Sequence, residues 1–286
     1  NPCSNNLANL SITNLDLDIY FINNLKYYIY NMFINNFDPV AFSFFTLEIR
    51  WYSLSYIFGI IFGWLYCKKF LIKDNEISKL FDDLISYLII GIIVGGRIGY
   101  IIFYNFEYYS INLLETVMIW KGGMSFHGAL IGIIISTYIF SKKHKIDEYI
   151  FLDLISLSAP IGIFFGRIAN FINGELVGKA TNTSWGVIFP TVDNIPRHPS
   201  QLYEAFLEGI ILFFLMILIF FKTKYKIGTC SYIFLIFYGI FRIISEFFRE
   251  PDIQIGYIFG SVSMGMLLSV FMILAGIILY LKKNEK

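Results

Sequence analysis

Apolar residues in this chain come in long unbroken runs. Seven stretches, near 51–67, 84–104, 125–140, 149–172, 204–221, 231–248 and 256–281, are rich in Ile, Leu, Phe and Tyr and nearly free of charge. A helix needs about 20 largely apolar residues to cross a hydrocarbon core, with about 17 tolerated, so each run predicts a transmembrane helix. None shows the period-two alternation of a membrane barrel. The predicted fold class is an all-α polytopic membrane protein with seven transmembrane helices and a small outer cap. Residues 1–50 read as a polar, Asn-rich interfacial arm with aromatic patches such as Tyr27, Tyr28, Tyr30 and Phe33. Residues 51–286 read as the membrane domain, whose long loop 173–203 supplies the cap. The first 50 residues lack a basic region followed by an apolar run, so no cleavable signal peptide is expected.

Composition agrees with this reading. Of 286 residues, 57% are hydrophobic and only 15% charged; a soluble domain carries about a quarter. The balance excludes a disordered chain and a disulfide-stapled secreted domain. A net charge of +1 leaves no basic surplus for nucleic acid. Cys3, Cys67 and Cys230 have no metal-ligand spacing and read as ordinary thiols.

Charge asymmetry orients the helices. One set of loops holds thirteen lysines: Lys68, Lys69, Lys73, Lys79, Lys142, Lys143, Lys145, Lys222, Lys224, Lys226, Lys282, Lys283 and Lys286. The opposite loops hold Lys26, Arg50, Lys121, Lys179, Arg197 and Arg249. The lysine-rich side is therefore expected in the cytoplasm, with the N-terminus outside and the C-terminus inside. All six arginines fall in spans or on the outer side. Lysine suffices as a topology charge, whereas arginine offers a planar fork of donors for phosphate or carboxylate.

Ionisable groups inside spans are costly and by default suggest function. In the fourth span Arg167 and Asn170 are three apart and share a helix face. The sixth carries Tyr238, Arg242, Glu246 and Arg249 on one face. The second holds Arg97 beside Gly95, Gly96 and Gly99, and the third opens with His127 beside Gly128. The first opens with Arg50, Trp51 and Tyr52. Each has a plainer reading: Arg242 neutralised by Glu246, Arg97 pinning helices, His127 packing, Tyr52 as an interfacial aromatic. Together they fall at one depth, near the outer headgroups, with Arg167 about 8 Å from its helix end at 1.5 Å per residue. Two or more arginines there suit a phosphate, and a neutral His suits proton transfer. Ser125 and His127 are two apart and face different ways, and neither G-x-S-x-G nor H-E-x-x-H is present, which disfavours intramembrane proteolysis.

Four motifs carry a family resemblance. Gly122-Gly-Met-Ser-Phe-His-Gly128, Gly166-Arg-Ile-Ala-Asn-Phe-Ile-Asn-Gly-Glu-Leu-Val-Gly178, Arg197-His-Pro-Ser-Gln-Leu-Tyr-Glu204 and Tyr238-Gly-Ile-Phe-Arg-Ile-Ile-Ser-Glu-Phe-Phe-Arg-Glu-Pro-Asp252 stand in that order. They resemble the signatures of bacterial prolipoprotein diacylglyceryl transferases, over roughly residue 38 to the end. The resemblance implies a seven-span inner-membrane enzyme without metal or cofactor, its site facing the periplasmic leaflet. Such an enzyme moves the diacylglyceryl group of phosphatidylglycerol onto the lipobox Cys thiol of a prolipoprotein signal peptide, forming a thioether and releasing glycerol 1-phosphate. By matching motif, His127 is a candidate base, while Arg167 and Arg242 hold the phosphate. Asn170, Glu175 and Gly178 complete the signature, with Glu175 orienting an arginine. Tyr52 matches the tyrosine opening the first span and joins His127, Arg167 and Arg242 as a catalytic candidate, and Tyr238, Glu246, Arg249 and Arg97 are further substrate-side candidates. The alternative class is a non-enzymatic phospholipid or anion carrier, which would need polar groups continuing to the cytoplasmic half. The inner half of span five, from Ile210 to Phe221, is apolar instead.

Overall fold

The computed structural model describes residues 32–45, 47–222, 226–251, 256–258 and 260–284. The arm expected over residues 1–50 lies outside the described residues as far as residue 31, as do Cys3, Lys26, Lys224, Lys286 and Asp252.

Among the described residues seven long helices form, numbered here in chain order: α1 Trp51–Leu71, α2 Asn75–Tyr104, α3 Phe126–His144, α4 Glu148–Asn173, α5 Ser200–Lys222, α6 Thr229–Glu246 and α7 Met264–Asn284. Six of them are long and apolar enough to cross a membrane. The helix α3 is not among these six; its 19 residues include His127 at one end and Lys142, Lys143 and His144 at the other. Isoleucines and phenylalanines on the outer faces, such as Ile90 and Ile102 of α2 and Phe271 and Ile278 of α7, are exposed, as a lipid-facing surface requires.

Local signals set the ends. Asp74 accepts from the backbone N–H groups of Glu76 and Ile77, so α2 starts well before residue 84. The last helix starts at Met264 instead of 256. Ile258 N–H bonds Val262 O across a turn, and Ser263 Oγ then accepts from Met266 N–H as an N-cap. The N–H-to-carbonyl bonds of that turn replace the first turns of the expected helix.

The helices pack as antiparallel pairs, α1 with α4, α2 with α3, and α6 with α7, while α5 lies against α4. Small residues allow the close approach. On α2 and α3, a Cβ at Gly91 would stand 2.6 Å from the carbonyl oxygen of Gly132, and one at Gly99 would stand 2.6 Å from Gly128 Cα. The shared core includes Phe140, Phe151, Leu157, Leu212, Met216 and Phe234.

Among the described residues the strands lie at one end of the bundle, where α1 starts and α4 ends. In order these are β1 Phe33–Ile34, β2 Val40–Phe44, β3 Leu47–Arg50, β4 Val187–Ile188 and β5 Pro196–Arg197. The β2–β3 hairpin leads directly into α1, and β4 joins β1 to β5 above the end of α4. Asn35 Nδ2 donates to Phe171 O at 2.5 Å, fixing this small sheet to the last turn of α4.

Candidate active site

The helix α4 ends where Gly174 takes a left-handed conformation, φ 66°, which glycine adopts without a Cβ penalty. One and two turns earlier, Asn170 and Arg167 point into the bundle. The chain then returns through residues 175–199 and enters α5. Ser200 Oγ donates to Leu176 O at 3.0 Å and Gln201 Nε2 to Glu175 O at 2.5 Å. These bonds seat the start of α5 beside the end of α4. Its next inward residues are Glu204 and Glu208, both fully buried. The backbone over Ala205–Ile211 is π-helical, a widened turn that recurs at functional sites. Gly209 within it lets α5 approach Phe164, whose Cβ would be 2.8 Å from an added Cβ.

Arg167 pairs with Glu204 at 2.8 Å and with Glu208 at 3.1 Å. Arg242 of α6 reaches the same two carboxylates at 3.1 and 3.7 Å and also pairs with Glu246, one turn further along α6. Arg249 lies 3.4 Å from Glu204 and 4.0 Å from Glu246. Ser263, the cap of α7, donates to Glu246 at 2.7 Å. Glu204 is therefore the hub, contacting all three guanidiniums. The sequence spacing correctly pairs Arg242 with Glu246, but that is one contact of several.

His127 arrives from α3. Ser125 N–H bonds Gly96 O at 2.9 Å, its Oγ caps Gly128 N–H, and Phe126 stacks on Tyr238 at 5.0 Å. His127, next in the chain, is thereby seated beside the part of α6 that carries Arg242. Its Nε2 is buried and makes no hydrogen bond among the described residues. Tyr52 stands at the start of α1, its hydroxyl 3.1 Å from that of Tyr56 one turn on. Tyr56 lies within electrostatic reach of Arg167 and Glu175.

Other sequence candidates take supporting places. The Glu175 carboxylate accepts from Asn170 Nδ2 at 3.4 Å and Asn173 Nδ2 at 3.1 Å. Glu175 was expected to orient an arginine; the side-chain bonds it makes among the described residues come from these two asparagines. Gly178 N–H bonds His198 O at 3.0 Å, and a Cβ there would fall 2.8 Å from Phe248 O, so the loop and the end of α6 meet through a position without a side chain. Arg97 is buried away from the cluster. It donates to the carbonyls of Glu115 and Gly122 at 2.5 Å and of Thr116 at 2.8 Å, and its guanidinium lies over the Tyr109 ring. Arg197 binds Asp193 at 2.6 Å and Gly178 O at 3.0 Å within the cap. Cys67 and Cys230 are buried free thiols.

Glu208 and Tyr56 are absent from the sequence reading, and Glu204 figures there only as the end of a motif. A signal existed for each: two acidic residues four apart in an otherwise apolar span, and a second tyrosine one helical turn after Tyr52.

An apolar bundle with a buried, closed set of arginines and glutamates at one end, beside a histidine whose buried Nε2 makes no hydrogen bond among the described residues, defines a polytopic membrane protein with a site for anionic chemistry. Residues 39–282 match the family model for prolipoprotein diacylglyceryl transferase. The phosphatidylglycerol–prolipoprotein diacylglyceryl transferase of Rickettsia typhi is 52% identical over 259 residues, 89% of this chain and 100% of that protein. Those of Rickettsia bellii and Rickettsia felis are 53% and 51% identical, over 86% and 88% of this chain and 95% and 98% of their own lengths. The chain belongs to the prolipoprotein diacylglyceryl transferase family and is a transferase.

Proposed function

We propose that this enzyme moves the diacylglyceryl group of phosphatidylglycerol to the lipobox Cys thiol of a prolipoprotein signal peptide. It does so in the inner membrane with seven spans, α3 included, the N-terminus outside and the site in the outer leaflet. The lysine distribution supports that orientation. The observation that carries the chemistry is the juxtaposition of Arg167 and Arg242 on shared carboxylates, with Phe126, the neighbour of His127, stacked on Tyr238 one turn before Arg242.

The thiol sulfur attacks the glyceryl carbon that bears the phosphate. The S–C bond forms as the C–O bond breaks, and the leaving oxygen joins glycerol 1-phosphate. A free thiol has a pKa of about 8.5, so a base helps. His127 Nε2 is buried and makes no competing hydrogen bond among the described residues, and it takes the thiol proton. Arg167 and Arg242 stabilise the charge growing on the phosphate in a site shielded from water. Glu246 fixes Arg242, Arg249 fixes Glu204, and Tyr238 holds the start of α3 through its stack on Phe126. Tyr52 lines the lipid side of the site. Asn170, Glu175 and Gly178 set the edge under the cap, and Arg97 anchors the segment leading to His127.

Purified protein in detergent, given phosphatidylglycerol and a signal-region peptide with one Cys, is expected to add a diacylglyceryl mass to the peptide. Arg167→Ala is expected to lower the rate by about 10²- to 10³-fold, and a Cys→Ser peptide gains nothing. A well-folded protein that leaves the peptide unmodified would refute the proposal.

A further inference from the structure

The charges of the cluster cancel. Arg167, Arg242 and Arg249 face Glu204, Glu208 and Glu246, three charges of each sign. A buried set resists acquiring a net charge, because an uncompensated ion in a low-dielectric interior is costly. A phosphodiester brings one more negative charge. When it takes arginine donors, a carboxylate has to release its own.

The two carboxylates of α5 are unequally placed for this. Glu204 holds all three guanidiniums, at 2.8, 3.1 and 3.4 Å, so its departure would scatter the set. Among the described residues Glu208 forms ion pairs with Arg167 and Arg242, the two arginines assigned to the phosphate. It makes one hydrogen bond, from Arg167 Nη2 at 3.1 Å. Its buried Oε1, like Oε2 of Glu204, makes none among the described residues and lies 3.7 Å from Arg242 Nη1, so the difference between the two lies in how many guanidiniums each holds. It also sits within the π-helical turn of α5.

We infer that Glu208 is a counter-anion that exchanges with the lipid phosphate: it pairs with Arg167 and Arg242 between turnovers, gives way to the headgroup, and returns as glycerol 1-phosphate leaves. The inference rests on the transferase reading above. Glu208 is then a positioning residue that makes and breaks no covalent bond, and it sets affinity for lipid and product.

Glu208→Gln keeps the volume of the side chain and removes its charge. In the full-length protein in detergent, the KM for phosphatidylglycerol is expected to fall about five- to tenfold, with inhibition by added glycerol 1-phosphate strengthened by a similar factor. The kcat is expected to fall as product leaves more slowly. Glu208→Asp keeps the charge but shortens its reach, and should shift both constants the same way by about twofold; it serves if Glu208→Gln does not fold. A folded variant with an unchanged or raised KM, or with unchanged product inhibition, overturns the exchange. Failure of the transferase reading looks different, because the wild-type protein then forms no product at all.

Discussion

Two buried carboxylate sites lie at opposite ends of this bundle, and they are satisfied in different ways. At the lysine-rich end, Asp153 of α4 accepts from the backbone N–H of Gly228 at 2.6 Å, from Ser231 N–H at 2.8 Å and from Ser231 Oγ at 2.6 Å. It caps the start of α6, and its partners are neutral groups of one neighbouring helix. At the other end Glu204 and Glu208 are held by guanidiniums from α4, α6 and the segment after α6. The first arrangement saturates a carboxylate with fixed dipoles and leaves nothing to exchange. The second holds charge against charge, so an arriving anion can substitute for one member. Burial alone therefore does not distinguish structure from function here; the nature of the partner does.

The largest effect expected from breaking this contrast is at the hub. Glu204→Gln removes the one carboxylate shared by Arg167, Arg242 and Arg249 and leaves buried positive charge uncompensated. Losing one member of a buried ion set costs about 3–5 kcal/mol, so both thermal stability in detergent and transfer rate should drop sharply. A variant of wild-type stability and rate would show that the cluster is not an energetic unit.

Asp153→Asn sharpens the comparison from the other end. The amide keeps one acceptor oxygen, which can serve both Ser231 donors, and the Gly228 N–H then faces an NH2 group and loses its acceptor, at about 1–3 kcal/mol. The melting temperature should fall while KM and kcat of the folded protein stay at wild-type values. A change in KM would join the two ends of the bundle functionally and undo the distinction.

The smallest effect concerns the cap. Asp193 lies in the loop between α4 and α5, and its hydrogen bonds from Arg197 hold its carboxyl below the usual carboxylate range. A lowered folded-state value means that the pair contributes fully above the ordinary aspartate pKa of about 3.9. That contribution is lost as pH falls through the lowered value. Proteolysis of residues 174–199 should therefore increase only in strongly acidic buffer, and Asp193→Asn should remove that pH dependence. Because the pair lies in the cap and stays partly exposed, with 27% of the Asp193 side chain accessible, solvent screens it and the change in overall stability should be small.

Much of the fold is legible along the chain because the hydrophobic requirement for a membrane helix is local. The runs at 51–67, 149–172, 204–221 and 231–248 became α1, α4, α5 and α6 with small changes at their ends. The length of α2 and the start of α7 depended on capping by Asp74 and Ser263, which composition averages conceal. Helical spacing likewise revealed that Arg167 shares a face with Asn170 and Arg242 with Glu246.

Which arginine does what was decided only by tertiary structure. Arg97, Arg167, Arg197 and Arg242 look alike in sequence, each beside glycines or other polar residues. Yet Arg97 is occupied by backbone carbonyls, Arg197 by a neighbouring aspartate, and Arg167 and Arg242 by carboxylates of α5. Those carboxylates went unread because a pair between helices has no sequence period. The chain by itself determined that apolar helices would form and that polar groups would gather at one end. Only packing determined which charges meet, because contact between ions acts over a few ångströms, and that distance is set by how α4, α5 and α6 lie against one another.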